Sequence, residues 1–232
     1  MKRKRKNIIL ILIYILGMQF LPPLVRDIVM HAQGYTREDL VGNFNLVALV
    51  NFVAYIVLFT ILLFFTYKTY IEDFKKIKSW GNFCKQMGLG LFFTFGSAMV
   101  GNLLVMSLGT VGQAANQSGV QSAMMALPAF MLITVVFFGP VVEEIVFRQA
   151  LMNIFKWKPI FNVLLSSFLF GYIHVRSGGF IHIIPYFLMG LVFAVMYQKN
   201  KNICHVTVLH ILHNGLTAAL MLLAHHILAA YM

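Results

Sequence analysis

The sequence predicts an all-α, polytopic transmembrane bundle of about seven spans, or about eight if one long segment crosses twice. Three observations carry this. First, 60% of the 232 residues are hydrophobic and only 11% are charged, against about 45–50% and about 25% in a soluble domain. Second, the apolar residues lie in runs, several of them near the about 17–25 residues that a helical span needs. Third, the basic residues behind the net charge of +11 sit at the ends of those runs: Lys2 to Lys6, Lys68 to Lys85, Lys156 and Lys158, Lys199 and Lys201. In a soluble chain such a charge would suggest nucleic acid. At the ends of apolar spans it is the positive-inside pattern, with attraction to anionic lipid as a further effect, so no nucleic-acid partner is expected.

The spans fall at roughly 8–25, 43–67, 87–108, 126–155, 161–175, 180–198 and 203–229. The start resembles a signal peptide, with a basic stretch and an apolar run. However, the run continues to Pro22-Pro23 and Val25 without a clear small-residue cleavage site, so a retained first helix is expected. The polar, uncharged stretch 109–122 reads as a loop on the far side. Segment 126–155 is long for one crossing, and Pro140 should kink or divide it. Segment 161–175 is short. The lysine-bearing connections alternate correctly for a multi-pass protein of the cell membrane with a cytoplasmic N-terminus. Cys84 and Cys204 are unrelated in position and imply no disulfide framework or cysteine-based zinc site. There is no internal repeat and no soluble domain.

Three motifs lie on separate apolar segments: Glu143-Glu144-x-x-x-Arg148, Phe170-x-x-x-His174 and His210-x-x-x-Asn214. Ionisable residues inside a membrane are costly, and their default reading is functional. Glu143 precedes Trp157, and His174 follows Ile160, by fourteen residues each. Both therefore lie about 20 Å from the short connection between their helices, and His210 lies about 15 Å deep on the same side. Spacing alone can bring all three motifs to one depth. Glu144 and Arg148, in the favourable i,i+4 order, can pair and leave Glu143 free as a base. Phe170 shares a face with His174 and should pack beneath the site. His210 and Asn214 share a face and can each supply an N–H donor to a developing oxyanion. His213, one position off that face, either supports the site or lines the cavity.

Zinc could in principle use His174, His210, His213 and a glutamate. His-Glu-x-x-His is absent, however, and His210 with His213 at i,i+3 is weak spacing, so neither metal nor other cofactor is assigned. Ser166 and Ser167 face away from His174, and Gly-x-Ser-x-Gly is missing, which argues against serine proteolysis. His182, His205, His225 and His226 read as interfacial and without a role. Gly171 and Gly190 should allow close helix contact.

The ordered trio of motifs resembles the CPBP intramembrane glutamic endopeptidases, which include the type II CAAX prenyl proteases and bacterial proteins linked to bacteriocin self-immunity. The similarity covers about residues 125–225 and implies N-terminal helices over 1–124 and a protease core over 125–232. It implies Glu143 as the base that activates water, with His174 assisting, and His210 and Asn214 as oxyanion stabilisers. Glu144 and Arg148 would support the site. Gln149 stands where family members often have glycine. The expected function is metal-independent cleavage of a membrane-associated peptide or protein, with a place in bacteriocin self-immunity in view. The alternatives are a non-catalytic immunity or partner-binding protein of the same fold, a metalloprotease and an ion transporter. A transporter would often show paired broken helices in both halves, and no such pair is found.

Overall fold

The computed structural model describes residues 2–36, 38–40, 42–110, 112, 115–155, 158–176 and 178–230. Among the described residues the secondary structure is helical, with no strand. The main helices are α1 (Lys2–Gln33), α2 (Phe44–Lys75), α3 (Trp80–Ser107), α4 (Ala115–Ala126), α5 (Pro128–Asn153), α6 (Pro159–Val175), α7 (Ile183–Asn200) and α8 (Ile203–Ala230). Among the described residues six spans are long and apolar enough to cross a membrane, and α6, at 17 residues, is a shorter apolar helix. The chain is a polytopic helical bundle.

Helix ends follow local chemistry. Asn43 Oδ1 accepts from the Leu46 N–H at 3.0 Å and Ser79 Oγ from the Asn82 N–H at 3.3 Å, which caps α2 and α3. Pro128 and Pro159 open α5 and α6, where a missing N–H is harmless. Lys201, in the left-handed conformation at φ 49°, ends α7. Asn202 then caps α8, its Oδ1 accepting from the N–H groups of Cys204 and His205 at 2.9 and 3.3 Å.

Two expectations are corrected. The polar stretch 109–122, read as a loop, contains most of helix α4. Its glutamines, alanines and methionines are adequate helix formers, and Ala123 and Met124 are buried in a small core with Ala48, Met131 and Ala218. Segment 126–155 is neither divided nor crossed twice. Helix α5 is continuous, and Pro140 is absorbed by a π-helical turn over Ile133–Phe138 that lets the Gly139 N–H reach back to the Thr134 carbonyl. A second π turn covers Ile145–Ala150.

Helix α5 is the axis of the bundle: 61% of its most apolar stretch is buried, against 17% for α1 and 39% for Phe180–Asn200. The outer helices turn large apolar side chains such as Phe64, Phe92 and Leu220 outward, as a lipid solvent allows. Gly171 and Gly190 do allow close contact: a Cβ on Gly171 would lie 3.1 Å from the Phe187 nitrogen, and one on Gly190 would lie 3.2 Å from the Ser167 Cα. Across the α3–α7 crossing, a Cβ on Gly101 would collide with the backbone of Pro185.

Polar clasps fix the helices in depth. Asp73, at the end of α2, accepts from the Ile203 N–H at 2.8 Å, while Asn202 Nδ2 donates to the Asp73 carbonyl at 2.7 Å. Asn153 Nδ2 donates to the Tyr197 hydroxyl at 2.7 Å, and Asn162 Nδ2 to the Met152 carbonyl at 3.1 Å. The ends of α2, α5 and α7 and the starts of α6 and α8 therefore share one face of the bundle. The lysine run after α2, Lys158, Lys199 and Lys201 gather there. Lys156 and Trp157 lie outside the described residues.

Gly101→Ala should lower the melting temperature in detergent, because crowding a packed contact costs about 1–3 kcal/mol. Gly88→Ala, whose Cβ would meet nothing within 4 Å, should leave it unchanged or slightly raised. Equal melting temperatures would show that the α3–α7 crossing is looser than described.

Candidate active site

The short regular turn Gly139–Glu144, between the two π turns of α5, carries both glutamates. Glu144 and Arg148 are completely buried and Glu143 is 7% exposed. A buried charge needs partners, and Glu144 has two. Its Oε2 lies 3.3 Å from Arg148 Nε, too oblique for an aligned hydrogen bond, so that attraction is coulombic. Its Oε1 lies 2.8 Å from His210 Nδ1. Arg148 Nη2 donates to the Gly190 carbonyl at 3.2 Å, and its guanidinium lies 4.6 Å from the centre of the Phe170 ring. The geometry is the i,i+4 pair that the spacing predicts, extended across the bundle to α7 and α8.

Phe170 packs beneath the site as expected. Its ring is fully buried and meets Phe147, Phe193, His174 and His210 at centroid distances of 5.9, 6.0, 4.7 and 5.7 Å. The spacing Phe-x-x-x-His has a second consequence. His174 Nδ1 donates to the Phe170 carbonyl at 2.7 Å, one turn back, and the imidazole stacks on Tyr186 at 4.6 Å. A carbonyl only accepts, so Nδ1 carries a proton, and when the ring is neutral Nε2 presents its lone pair. His210 is fixed in the same way by Glu144. Its Nε2 lies 3.9 Å from Glu143 Oε2, beyond hydrogen-bonding distance.

Asn214 has a structural duty that its motif does not reveal. Pro140 lacks an N–H, and the Gly139 N–H is committed to Thr134, so the Val135 carbonyl has no helical donor. Asn214 Nδ2 supplies one at 2.9 Å.

These residues border a cavity of ≈ 840 Å³, lined by Glu143, His174, His210 and Asn214, with Tyr14 and Tyr55 from the N-terminal helices. Glu144 and Arg148 stand behind its wall. Glu143 and Arg176 are the charged residues among those lining it. His213 also lines it and lies 3.1 Å from the Thr94 hydroxyl. Ser166 and Ser167 are buried and donate to the carbonyls of Phe147 and Val163 at 2.9 and 2.7 Å. Among the described residues no group of three His, Cys, Asp or Glu side chains is arranged to hold a metal.

His182 and His205, read as interfacial, stand near the starts of α7 and α8 and are buried, while His225 and His226 are exposed. His182 lines the cavity because the chain reverses through Gly179, at φ 73°, into the turn Phe180–His182. His205 packs against Phe83 at 4.9 Å. Tyr14 and Tyr55 belong to no motif. Their only sequence signal is a hydroxyl within an apolar span.

Residues 125–216 match the family model described as type II CAAX prenyl endopeptidase Rce1-like. Over these residues the chain is similar to the type II CAAX prenyl endopeptidases. Two curated relatives also match parts of the chain. A Mycoplasma capricolum protein named only "Uncharacterized protein" is 28% identical over 148 residues, covering 58% of this chain and 44% of the relative. A Bacillus subtilis protein named "Putative membrane peptidase YdiL" is 26% identical over 122 residues, covering 52% of this chain and 48% of the relative. The matches thus span about half the length of each relative. No solved structure matches the chain.

Glu144→Ala and Arg148→Ala should each reduce the amount of folded protein in the membrane, since breaking a buried pair costs about 3–5 kcal/mol. Quantitative blotting of membrane fractions measures this. Wild-type abundance in both variants would show that the Glu144 network is not structurally important.

Proposed function

We propose that this protein is an intramembrane endopeptidase of the CAAX protease-like type, in which Glu143 activates the water that attacks a peptide bond. The observation that carries the proposal is the division of labour between adjacent carboxylates. Glu144 is committed to Arg148 and His210, whereas Glu143 reaches the cavity with no hydrogen-bond partner among the described residues. Glu143 takes a proton from water, and the lone pair on His174 Nε2 accepts the water's other hydrogen and orients it. The resulting hydroxide equivalent adds to the peptide carbonyl. When the tetrahedral intermediate collapses, the C–N bond breaks and Glu143 returns its proton to the leaving nitrogen. His210 and Asn214 stand on the adjoining helix, where the oxyanion would form. The substrate reading, a peptide or protein held at the bilayer, follows from the family match and from the placement of the cavity among apolar spans. A place in bacteriocin self-immunity belongs to the same proposal.

The lysine-rich face is proposed to be cytoplasmic, which puts the N-terminus there too. Lys76→Cys and Lys199→Cys should react with a membrane-impermeant thiol reagent from the same, cytoplasmic side, in a background with Cys84 and Cys204 replaced. Labelling from opposite sides would overturn the shared face.

Glu143→Gln keeps size and polarity but removes basicity. Hydrolysis of quenched-fluorescence peptides ending in Cys-aliphatic-aliphatic-X, tested with and without a farnesyl group, should fall about 10²–10⁴-fold. Folded abundance should persist, and chelators should leave the wild type active. Inactivation by phenanthroline that zinc reverses would favour a metalloprotease. Undiminished biological activity in Glu143→Gln would favour the non-catalytic binding protein.

A further inference from the structure

The residues on either side of Tyr186 are both locked by glycines of neighbouring helices. Pro185 lies against α3, where a Cβ on Gly101 would collide with its backbone. Phe187 lies against α6, where a Cβ on Gly171 would sit 3.1 Å from its nitrogen and 3.0 Å from Ile183 Cγ1. Tyr186 therefore leaves α7 at a point held by close packing on both flanks. Its far end is tied as well: the hydroxyl donates to Gln117 Oε1 on α4 at 3.3 Å. The side chain so anchored lines the cavity.

Between these anchors the phenol ring lies on His174, with centroids 4.6 Å apart and an interplanar angle of 23°. This contact supplies what the hydrogen bond of His174 does not. The bond from Nδ1 to the Phe170 carbonyl at 2.7 Å fixes one atom of the imidazole. The outer torsion of a histidine side chain is soft, so the ring can still pivot about that bond and swing Nε2 away. Phe170 meets the imidazole at 44° and defines no plane for it. The nearly parallel ring of Tyr186 does. Gly171 stands three residues before His174, so the close approach that locks Phe187 also brings the tyrosine onto the imidazole.

We propose that Tyr186 is a positioning residue for His174: its ring holds the plane of the imidazole so that Nε2 meets the water that Glu143 activates. The inference rests on the proteolytic reading above and on the role given there to His174. Tyr186 makes no bond to the reacting atoms and exchanges no proton over the cycle. It acts through the imidazole alone. Helix α4 reaches the chemistry by the same route, from Gln117 to Tyr186 to His174, although Gln117 lies outside residues 125–216.

The test compares two variants of the purified full chain on the same quenched-fluorescence peptides. Tyr186→Leu removes the ring, whereas Tyr186→Phe keeps it and drops only the tie to Gln117. Misplacing a catalytic group by about 1 Å can cost about 10²-fold in rate. In Tyr186→Leu kcat should fall about that far with KM nearly unchanged, and in Tyr186→Phe it should stay close to wild type. In a His174→Ala background, Tyr186→Leu should lower the residual kcat no further. By NMR of histidine-labelled protein, the His174 ring protons should lose their upfield ring-current shift in Tyr186→Leu and keep it in Tyr186→Phe. If Tyr186→Leu does not fold, Tyr186→Met, equally non-aromatic and more adaptable in packing, takes its place. Unchanged kcat in Tyr186→Leu alongside an inactive Glu143→Gln overturns the positioning role and leaves proteolysis standing. Equal losses in the Leu and Phe variants overturn it, because the hydroxyl and not the ring would then matter. A rise in KM alone overturns it in favour of substrate binding. A further loss in the His174→Ala background overturns it too, because Tyr186 would be acting on something other than His174. Absence of hydrolysis by the wild type, with the ring-current shift intact, overturns the proteolytic reading and this inference together.

Discussion

The site depends on one buried carboxylate. Glu144 is shared between a cation on its own helix and an imidazole from the last helix, and it cannot be moved without stranding both. Burial makes each of these groups expensive alone and mutually dependent together. Arg148 extends the dependence to the Gly190 carbonyl, and its flat face rests on Phe170, which in turn holds His174 by its own carbonyl. Four helices are thus registered against one another by a chain of contacts that begins at Glu144. Glu143 differs from its neighbour by a single position. That one residue of rotation turns it out of this network and into the cavity.

The fold class was legible because bilayer thickness imposes a length on apolar helices, and composition alone reveals runs of that length. The three motifs were legible as a group because polar residues stand out against apolar sequence, and because counting from the turn between two helices fixes relative depth. Three features were not readable. Helix α4 is polar on average, and only its packing against α2, α5 and α8 distinguishes a buried face. Pro140 signals a break, but the π turn that absorbs it leaves the Val135 carbonyl to a donor seventy-nine positions further on, Asn214. Tyr14 and Tyr55 carry no spacing that marks them, since their proximity to Glu143 is set by how α1 and α2 pack on α5.

Asn214 both braces a helix and borders the cavity. One hydrogen of its amide repairs the helix defect that Pro140 creates, and the repair fixes the position of the second hydrogen beside the cavity. The irregular helix and the polar side chain opposite it are one device. The two π turns bracket Gly139–Glu144, the short regular stretch that carries both carboxylates.

The cavity wall is assembled from both sides of residue 125, and this limits what can be exchanged between related proteins. Grafting the matched stretch onto a different set of leading helices would carry over Glu143, His174 and His210 but would leave the facing wall to chance. The two parts must therefore vary in step: a change in the tilt of α1 or α2 redraws the chamber even when every motif residue is retained. The half that matches the family model supplies the motif side chains, and the other half decides the shape of the space they border.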